Sequence, residues 1–269
     1  GAGGGWVGGV GGEGARGRGW RGGRRGSGER AGGRVRTLSA AEGRGLDDIR
    51  NLFASDESVL RHGVTGSGKT EIYIHLIAET LRRGDDVLLL VPEIALTAQL
   101  VERMERIFGS RVTVYHSRLT ERARTETYLR LCRSTGGEFV VGARSALFLP
   151  LGRLGLIVVD EEHDASYKQS DPAPRYNARD AAIVLAVMHG AKVLLGSATP
   201  SVETYYKAVT GGKYGLVTLS ERYQGASLPT IEIVDMGEAR KKGLAQGALS
   251  ARSHALISEA IGRGQQAIV

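Results

Sequence analysis

Two stretches of this sequence hold side chains that could act together on a phosphate group. Residues 63–70 read Gly-Val-Thr-Gly-Ser-Gly-Lys-Thr, and residues 160–163 read Asp-Glu-Glu-His. The glycines in the first stretch let the backbone curl until several N–H groups point at one anion. The Lys69 amine can then reach the outer phosphates of a nucleotide, and the Thr70 hydroxyl is suited to ligate Mg²⁺. We therefore predict a phosphate-binding loop made of Gly63, Val64, Thr65, Gly66, Ser67, Gly68, Lys69 and Thr70.

The acidic stretch lies at the end of an apolar run. Residues 156–159 read Leu-Ile-Val-Val, and Asp160 and Glu161 follow directly. A buried parallel strand of this composition delivers the residues after it to the edge of an open α/β sheet where ligands bind. We therefore expect these carboxylates and the phosphate-binding loop at the same edge of one sheet.

The residues around the loop favour a nucleotide site over a chance match. With ordinary glycine usage, the pattern arises at random in about one chain of this length in a hundred. Here a short apolar strand at residues 59–60 precedes the loop. A helix follows, with an apolar face and a glycine stop formed by Ile72, Leu76, Ile77, Leu81 and Gly84. Strand, loop and helix together are the context that the motif requires.

Apolar runs and helical patterns alternate from residue 46 onward. We predict strands at residues 87–91, 112–115, 139–141, 156–159 and 193–195, and helices at 96–108, 121–132 and 177–188. This alternation predicts an α/β fold of the P-loop NTPase type, with a mostly parallel sheet and helices on both faces.

The pattern becomes less regular after residue 220. We expect a strand at 231–234, an exposed loop at 237–247, a helix at 250–262 and the start of another strand at 266–269. Because the last of these strands stops with the sequence, we expect a truncated protein.

Residues 1–45 differ in composition from the rest of the chain. They hold nine arginines against three acids, so +6 of the formal net charge of +7 lies there, with 19 of the 40 glycines. Such a segment cannot bury enough apolar surface to offset chain entropy, and we predict a disordered Gly/Arg-rich tail. Arginine–glycine runs are typical of nucleic-acid tails, but a solvated leader without that role has the same composition.

Composition also argues against several other classes of protein. No apolar run approaches the roughly 18 residues that a membrane span needs, and the first residues show no secretory pattern. The single cysteine, Cys132, excludes an internal disulfide and any zinc site built from cysteines of this chain.

Further motifs stand in a recognisable order along the chain. Residues 91–97 read Val-Pro-Glu-Ile-Ala-Leu-Thr, 141–148 read Val-Gly-Ala-Arg-Ser-Ala-Leu-Phe, and 196–200 read Gly-Ser-Ala-Thr-Pro. With residues 63–71, 116–117, 160–169 and 171–180, they make the stretch from Leu46 to Val269 closely resemble the primosomal protein N′ family. This is a family of bacterial replication-restart DNA helicases within helicase superfamily 2.

The resemblance implies an enzyme that uses ATP and Mg²⁺ to move 3′ to 5′ on single-stranded DNA and unwind it. Its implied partners are single-stranded and branched DNA, other primosome proteins and the loader of the replicative helicase, in the bacterial cytoplasm and without a membrane. Residues 46–220 would form the RecA-like ATP-binding domain. Residues 221–269 would form a linker and the start of the second half of the enzyme.

The resemblance also implies roles for single residues of the site. Lys69 would bind the phosphates, Asp160 would hold Mg²⁺ together with Thr70, and Glu161 would orient the attacking water. His163, Ser197 and Thr199 would link the nucleotide site to DNA movement. A plain strand-to-helix turn with a serine or threonine cap explains residues 197–200 equally well.

A second set of residues is implied to contact DNA. Rings and guanidinium groups in the loop after the acidic motif can stack on unpaired bases, although tyrosines that simply pack and prolines that stiffen the loop explain its composition too. Arg144 can contact a backbone phosphate or form an ordinary surface ion pair, and Thr97 can donate to a phosphate or cap its helix. The full set is Thr97, Arg144, Ser145, Tyr167, Lys168, Arg175 and Tyr176.

Three parts of the family pattern are missing from this sequence. The DNA-binding and winged-helix modules that precede the helicase lobe are absent, and no glutamine occurs before Gln99 to contact adenine. The chain also stops before the zinc-binding cysteines and the second lobe, so zinc is expected only in full-length family members. We therefore expect this chain alone to bind nucleotide weakly and to hydrolyse it very slowly or not at all. Another superfamily 2 translocase and a non-catalytic nucleotide- or nucleic-acid-binding module remain alternatives.

Overall fold

The fold is built on a parallel sheet. The computed structural model describes residues 35–63, 68–93, 98–219 and 230–269. Within these residues, seven parallel strands lie in the order β3-β4-β2-β5-β6-β1-β7. They are β1 (Ser58–Gly63), β2 (Asp86–Leu90), β3 (Val112–Tyr115), β4 (Phe139–Gly142), β5 (Leu154–Asp160), β6 (Lys192–Ser197) and β7 (Gly215–Leu219). The α/β class and the parallel sheet predicted from the sequence are confirmed.

Helices connect the strands, as parallel pairing requires. They are α1 (Ala40–Ser55), α2 (Lys69–Arg82), α3 (Ala98–Phe108), α4 (Glu121–Cys132), α5 (Ala178–His189) and α6 (Val202–Val209). After the sheet come α7 (Met236–Lys241), the antiparallel pair β8 (Ala245–Gln246) and β9 (Leu249–Ser250), and α8 (Ala251–Gly262). None of the helices in the described ranges is long and apolar enough to cross a membrane.

Two apolar cores sandwich the sheet. Alternate residues of a strand face opposite sides, so Leu89 of β2 joins a core built with α1, α2 and α3, whereas Leu88 joins a core that includes α5. Central strands β2 and β5 read as continuous apolar runs because both of their faces are buried. The prediction of helices on both faces of the sheet is therefore confirmed.

Helix α1 corrects the predicted boundary of the tail. Its N-cap is Ser39, whose side chain accepts from the Glu42 N–H while the Glu42 carboxylate accepts from the Ser39 N–H. This capping box starts the helix at Ala40, and Leu46 and Ile49 bury its apolar face. Disorder up to residue 45 is therefore wrong for the part of the tail that the structure describes. Residues 1–34 of the predicted tail lie outside the described residues.

The segment after residue 229 departs from the sequence prediction in three places. The predicted strand at 231–234 has no regular structure, and Ile231 and Ile233 are exposed by 82% and 92%. The predicted loop at 237–247 holds most of α7 and the strand β8 instead. Residues 266–269 form no strand either. The predicted helix at 250–262 is confirmed as α8, although none of its residues is buried.

Candidate active site

The phosphate-binding loop joins β1 to α2. Gly68 is the N-cap of α2 in a left-handed conformation, with φ of 74°. A Cβ atom at this position would lie 2.1 Å from the Glu42 carboxylate, so any other residue would be strained by the φ angle and would force Glu42 to move. Lys69 and Thr70 then begin the helix, whose free N–H groups and dipole favour an anion. The predicted loop residues Val64, Thr65, Gly66 and Ser67 lie outside the described residues, as does Thr97.

Lys69 connects this loop to the acidic motif. Its Nζ atom lies 2.7 Å from Oε1 of Glu161, and the exposed fractions of the two side chains are 12% and 34%. The two motifs, far apart in sequence, therefore meet at one edge of the sheet, as the sequence predicts. This edge is formed by the carboxyl ends of β1, β5 and β6, where parallel α/β sheets bind ligands.

Asp160 ends β5 and is held from α2. The Tyr73 hydroxyl donates to Oδ1 of Asp160 over 3.0 Å. Burial and the negative charge of Glu161 raise the pKa of Asp160, while Lys69 and the Tyr73 hydrogen bond oppose that shift. A half-buried carboxylate with these neighbours is suited to a cation, because a bound cation would offset the cost of its charge.

An open cleft of about 490 Å³ lies at the N-terminus of α2 and reaches Lys69, although Asp160 and Glu161 do not line it. It is lined by Arg36, Glu42, Gly68, Lys69, Thr70, Glu71 and Arg103. Its volume falls in the usual range for small-ligand sites, roughly 300–1,000 Å³. Arg36 pairs with Glu42 over 2.7 Å, and Arg103 pairs with Glu71. A glycine at a helix N-terminus, a lysine and a half-buried aspartate nearby fit a nucleoside phosphate with Mg²⁺.

His163 joins the acidic motif to β6. Its Nδ1 atom lies 2.8 Å from the Ser197 hydroxyl and 3.7 Å from Oε2 of Glu161. The Thr199 N–H donates to the same Ser197 hydroxyl over 3.0 Å, and the Thr199 hydroxyl lies 3.5 Å from Nε2 of His163. The structure therefore brings together the three residues that the resemblance assigns to coupling. The cap of α6 is Ser201, not Ser197 or Thr199.

Glu162 is a residue that the sequence analysis missed. Its side chain is fully buried and accepts from the Ser201 N–H at 2.7 Å and the Arg179 guanidinium at 2.9 Å. The Thr204 hydroxyl donates to it as well, over 2.9 Å. Glu162 thus ties the acidic motif to the N-termini of both α5 and α6. The sequence did offer a signal, because Glu162 is a third consecutive acid after Asp160 and Glu161, and the proposed chemistry uses only the first two.

Tyr167 does not have the exposed ring that stacking on bases requires. The residue is 1% exposed, and its hydroxyl donates to the carbonyl oxygens of Leu90 at 3.0 Å and Asp160 at 2.7 Å. Direct contact of the Tyr167 ring with DNA, as predicted, is therefore wrong, because the ring belongs to the core. The hydroxyl bond to Asp160 leaves a coupling role for this residue.

The rest of this loop keeps its cations at the surface. Lys168 and Arg175 are exposed, and the Lys168 amine donates to the Arg175 carbonyl over 2.7 Å. Arg144 donates to the carbonyls of Ser166 and Lys168 at 3.2 and 3.0 Å, which holds the loop in place. Half-buried Tyr176 packs edge-on against Phe148, with 5.1 Å between ring centroids. Ser145 is half-buried in the turn after β4.

Comparisons with known proteins agree with this geometry. The sequence of the chain is 51% identical to the replication restart protein PriA of Rickettsia felis over 69% of the chain. It is 42% identical to the protein of that name from Bacillus subtilis over 83% of the chain. In both cases the chain spans only 28% of the relative's length. The resemblance predicted from the motifs is thereby confirmed.

The fold and the family are also supported by two further matches. A structure of RecG bound to a three-way DNA junction superposes with a TM-score of 0.55 at 18% identity, over 85% of this chain and 28% of that one. This similarity supports a helicase-type fold. The sequence model of the DEAD/DEAH box helicase family matches residues 47–208, which is more than half of the sequence. The chain belongs to the DEAD/DEAH box helicase family.

Proposed function

We propose that this chain is the ATP-binding lobe of a DNA helicase that moves 3′ to 5′ and acts in replication restart. One observation carries the proposal: the ion pair between Lys69 and Glu161, beside the half-buried carboxylate of Asp160. In this proposal Lys69 binds the phosphates, Glu161 orients the attacking water and Asp160 binds the metal, and their closeness at one edge of the sheet supports it. Replication restart itself rests on the names of the relatives.

The residues divide the chemistry of ATP hydrolysis between them. Lys69 and the N–H groups at the start of α2 bind and orient the phosphates. Once the phosphates draw Lys69 away from Glu161, the free carboxylate of Glu161 orients the attacking water and accepts a proton from that water. Thr70 and Asp160 would hold Mg²⁺, which neutralises charge on the phosphate oxygens when bound.

DNA is the proposed substrate of the same edge of the sheet. Exposed Lys168 and Arg175 follow the acidic motif directly and offer positive charge to a phosphate backbone. Separately, His163 contacts Glu161 and is joined to Ser197 and Thr199 after β6. Branched DNA is favoured as substrate because the RecG structure holds a three-way junction.

The proposed parent protein is longer than this chain. Residues 46–220 are assigned to the first RecA-like lobe, with α1 added to it, and residues 221–269 to a linker and the beginning of the second half. Zinc, primosome partners, the loader of the replicative helicase and a cytoplasmic location are proposed for the parent by resemblance to the relatives.

Nucleotide binding and turnover test this proposal. We expect the chain to bind a fluorescent ATP analogue with Mg²⁺, Glu161→Gln to bind it as well, and Lys69→Ala to bind it at least tenfold more weakly, as a rough expectation for removing a charged hydrogen-bond donor. In the full-length parent, single-stranded DNA should stimulate ATP turnover, and either substitution should abolish that stimulation. Equal binding by all three proteins would contradict the proposal.

A further inference from the structure

A hydroxyl, a glycine and a carboxylate meet where β5 and β6 pass beneath α2. Gly196 of β6 pairs in register with Arg61 of β1 on one side and with Asp160 of β5 on the other. Tyr73, one turn after Lys69 on α2, extends its side chain over this row and donates to Oδ1 of Asp160. Tyr73 is 1% exposed, so its hydroxyl is withdrawn from water.

Gly196 is the residue that makes room for this hydroxyl. A Cβ atom built on Gly196 would lie 1.8 Å from the Tyr73 hydroxyl oxygen and 2.9 Å from the ring carbon that bears it. Both distances are shorter than non-bonded atoms tolerate, so a side chain at position 196 and the hydroxyl cannot occupy their present positions together. The hydroxyl reaches Asp160 only because strand β6 carries no side chain there.

We propose that Tyr73 is a positioning residue for the Asp160 carboxylate, and that Gly196 is glycine in order to admit the Tyr73 hydroxyl. The proposal rests on the proposed function, in which Asp160 holds Mg²⁺. The hydroxyl fixes one carboxylate oxygen from the helix that also carries Lys69 and Thr70. The metal-binding carboxylate is thereby kept in register with the phosphate-binding loop.

A purely space-filling role does not account for the hydroxyl. The ring packs among the apolar residues of the core formed with α1, α2 and α3, and phenylalanine would fill that space equally well. A buried hydroxyl costs free energy unless it is hydrogen-bonded, and here the partner is a charged group at the site. The hydroxyl therefore belongs to the site, whereas the ring belongs to the core.

The first test measures how nucleotide binding depends on Mg²⁺. We expect Tyr73→Phe to raise the Mg²⁺ concentration for half-maximal binding of a fluorescent ADP analogue about tenfold, the usual effect of removing a group that supports a metal ligand. Binding of the same analogue in EDTA should be unchanged. The matched control is Tyr115→Phe, because Tyr115 is also buried but its hydroxyl contacts Arg124. An unchanged Mg²⁺ requirement in Tyr73→Phe would overturn the positioning role.

The second test needs neither metal nor nucleotide. Gly196→Ala should lower the unfolding temperature strongly when Tyr73 is present and less in combination with Tyr73→Phe, because the second change removes the oxygen at 1.8 Å and leaves only the milder contact with the ring carbon at 2.9 Å. Gly152→Ala serves as the control, since no atom lies within 4 Å of the added Cβ. Additive effects of the two substitutions would refute the role of Gly196. If the wild-type chain bound no nucleotide, the proposed function would fail while this test still stood.

Discussion

Gly68 and Glu161 hold positive φ angles on either side of the Lys69 ion pair. Gly68 has φ of 74°, and Glu161 has φ of 46°, which is unfavourable for a residue with a side chain. The Glu161 backbone is held by hydrogen bonds from the Glu162 N–H to Gly196 at 3.1 Å and from the Asp164 N–H to Glu161 at 2.9 Å. Such conformations cost about 1–3 kcal/mol each and persist where the surroundings determine them, as at functional sites.

Alanine substitutions separate the effect of the positive φ angle at Gly68 from the effect of its close contact with Glu42. Gly68→Ala is expected to destabilise the protein by about 3 kcal/mol, because it combines a strained φ with a clash against Glu42. Gly84→Ala is the matched control, since Gly84 has φ of 81° and no atom within 4 Å of an added Cβ. It should cost only about 1 kcal/mol. Urea unfolding measures both, and equal losses would mean that Glu42 yields without cost.

At the scale of elements, the N-terminus of α1 predicts a pH dependence of stability. Burial alone would raise the pKa of Glu42, but hydrogen bonds from Ser39 and Arg36 outweigh it and hold the pKa below its ordinary value of 4.5. A carboxylate with a lowered pKa in the folded state contributes stability that is present above its unfolded pKa. That contribution is lost as the pH falls through the folded value.

Glu42→Gln is therefore expected to destabilise the protein most at neutral pH, by about 1–2 kcal/mol, and progressively less below pH 4.5. Unfolding by urea across this pH range measures the difference between the variant and the wild type. Glu79→Gln is a suitable control, since Glu79 also pairs with an arginine, Arg50, but caps no helix. A difference that stays constant with pH would show that the charge of Glu42 contributes nothing.

The N-termini of α5 and α6 depend on one buried ion pair. The exposed fractions of the Arg179 and Glu162 side chains are 11% and 0%, and removing the arginine leaves a buried carboxylate without its counter-charge. We expect Arg179→Ala to cost about 3–5 kcal/mol, and the added change Glu162→Gln to restore part of it. Arg130→Ala is the control, because Arg130 pairs with Glu138 in a partly exposed site and should cost about 1 kcal/mol. Equal costs in chemical unfolding would contradict a special role for this pair.

The sequence predicts strands and helices well where both faces of a strand are buried, and poorly where burial depends on contacts that the local pattern does not show. The strands β2 and β5 are continuous apolar runs because helices cover both faces of the sheet. Such runs can be recognised in the sequence alone. Helix α1 was missed because glycine and arginine continue into its first turns, while a capping box and contacts with the sheet stabilise it. The alternation at 231–234 predicted a strand wrongly, since alternation needs a neighbouring strand and a core to face.

The residues of the candidate site were likewise predictable only where a local sequence pattern identifies them. That Lys69, Asp160 and Glu161 lie close together was predictable, because a strand of buried apolar residues and a glycine-rich loop before a helix deliver them to the same edge of a parallel sheet. The direction of the Tyr167 side chain was not, because the turn after Asp164 rotates its ring into the core while leaving Lys168 outside. The pairing of Glu162 with Arg179 likewise depends on how β5 and α5 pack together. Residue composition specifies none of these contacts.

At the scale of the whole molecule, charge separates two possible routes to DNA. Most of the net positive charge lies in residues 1–45, whereas the remainder of the chain is nearly neutral. Non-specific attraction to DNA could therefore come from the tail, while Lys168 and Arg175 are exposed in the loop that follows the acidic motif. Binding at the second place is the one we expect to be coupled to ATP, because that loop contacts the acidic motif through the bond from Tyr167 to Asp160.

The salt dependence of DNA binding distinguishes the two routes. Affinity for single-stranded DNA falls as salt rises, and combining Lys168→Ala with Arg175→Ala should make this dependence shallower. The magnitude of the slope of log affinity against log salt should fall by about 1.4, roughly 0.7 for each phosphate that is no longer neutralised. Deleting residues 1–34 should lower the slope further, yet leave intact the effect of DNA on nucleotide binding. Arg122→Ala is the control, because Arg122 is 89% exposed on α4 and belongs to neither the loop nor the tail. If the double substitution left both the slope and the nucleotide response unchanged, the loop would not be part of the DNA path, and the tail alone would explain binding.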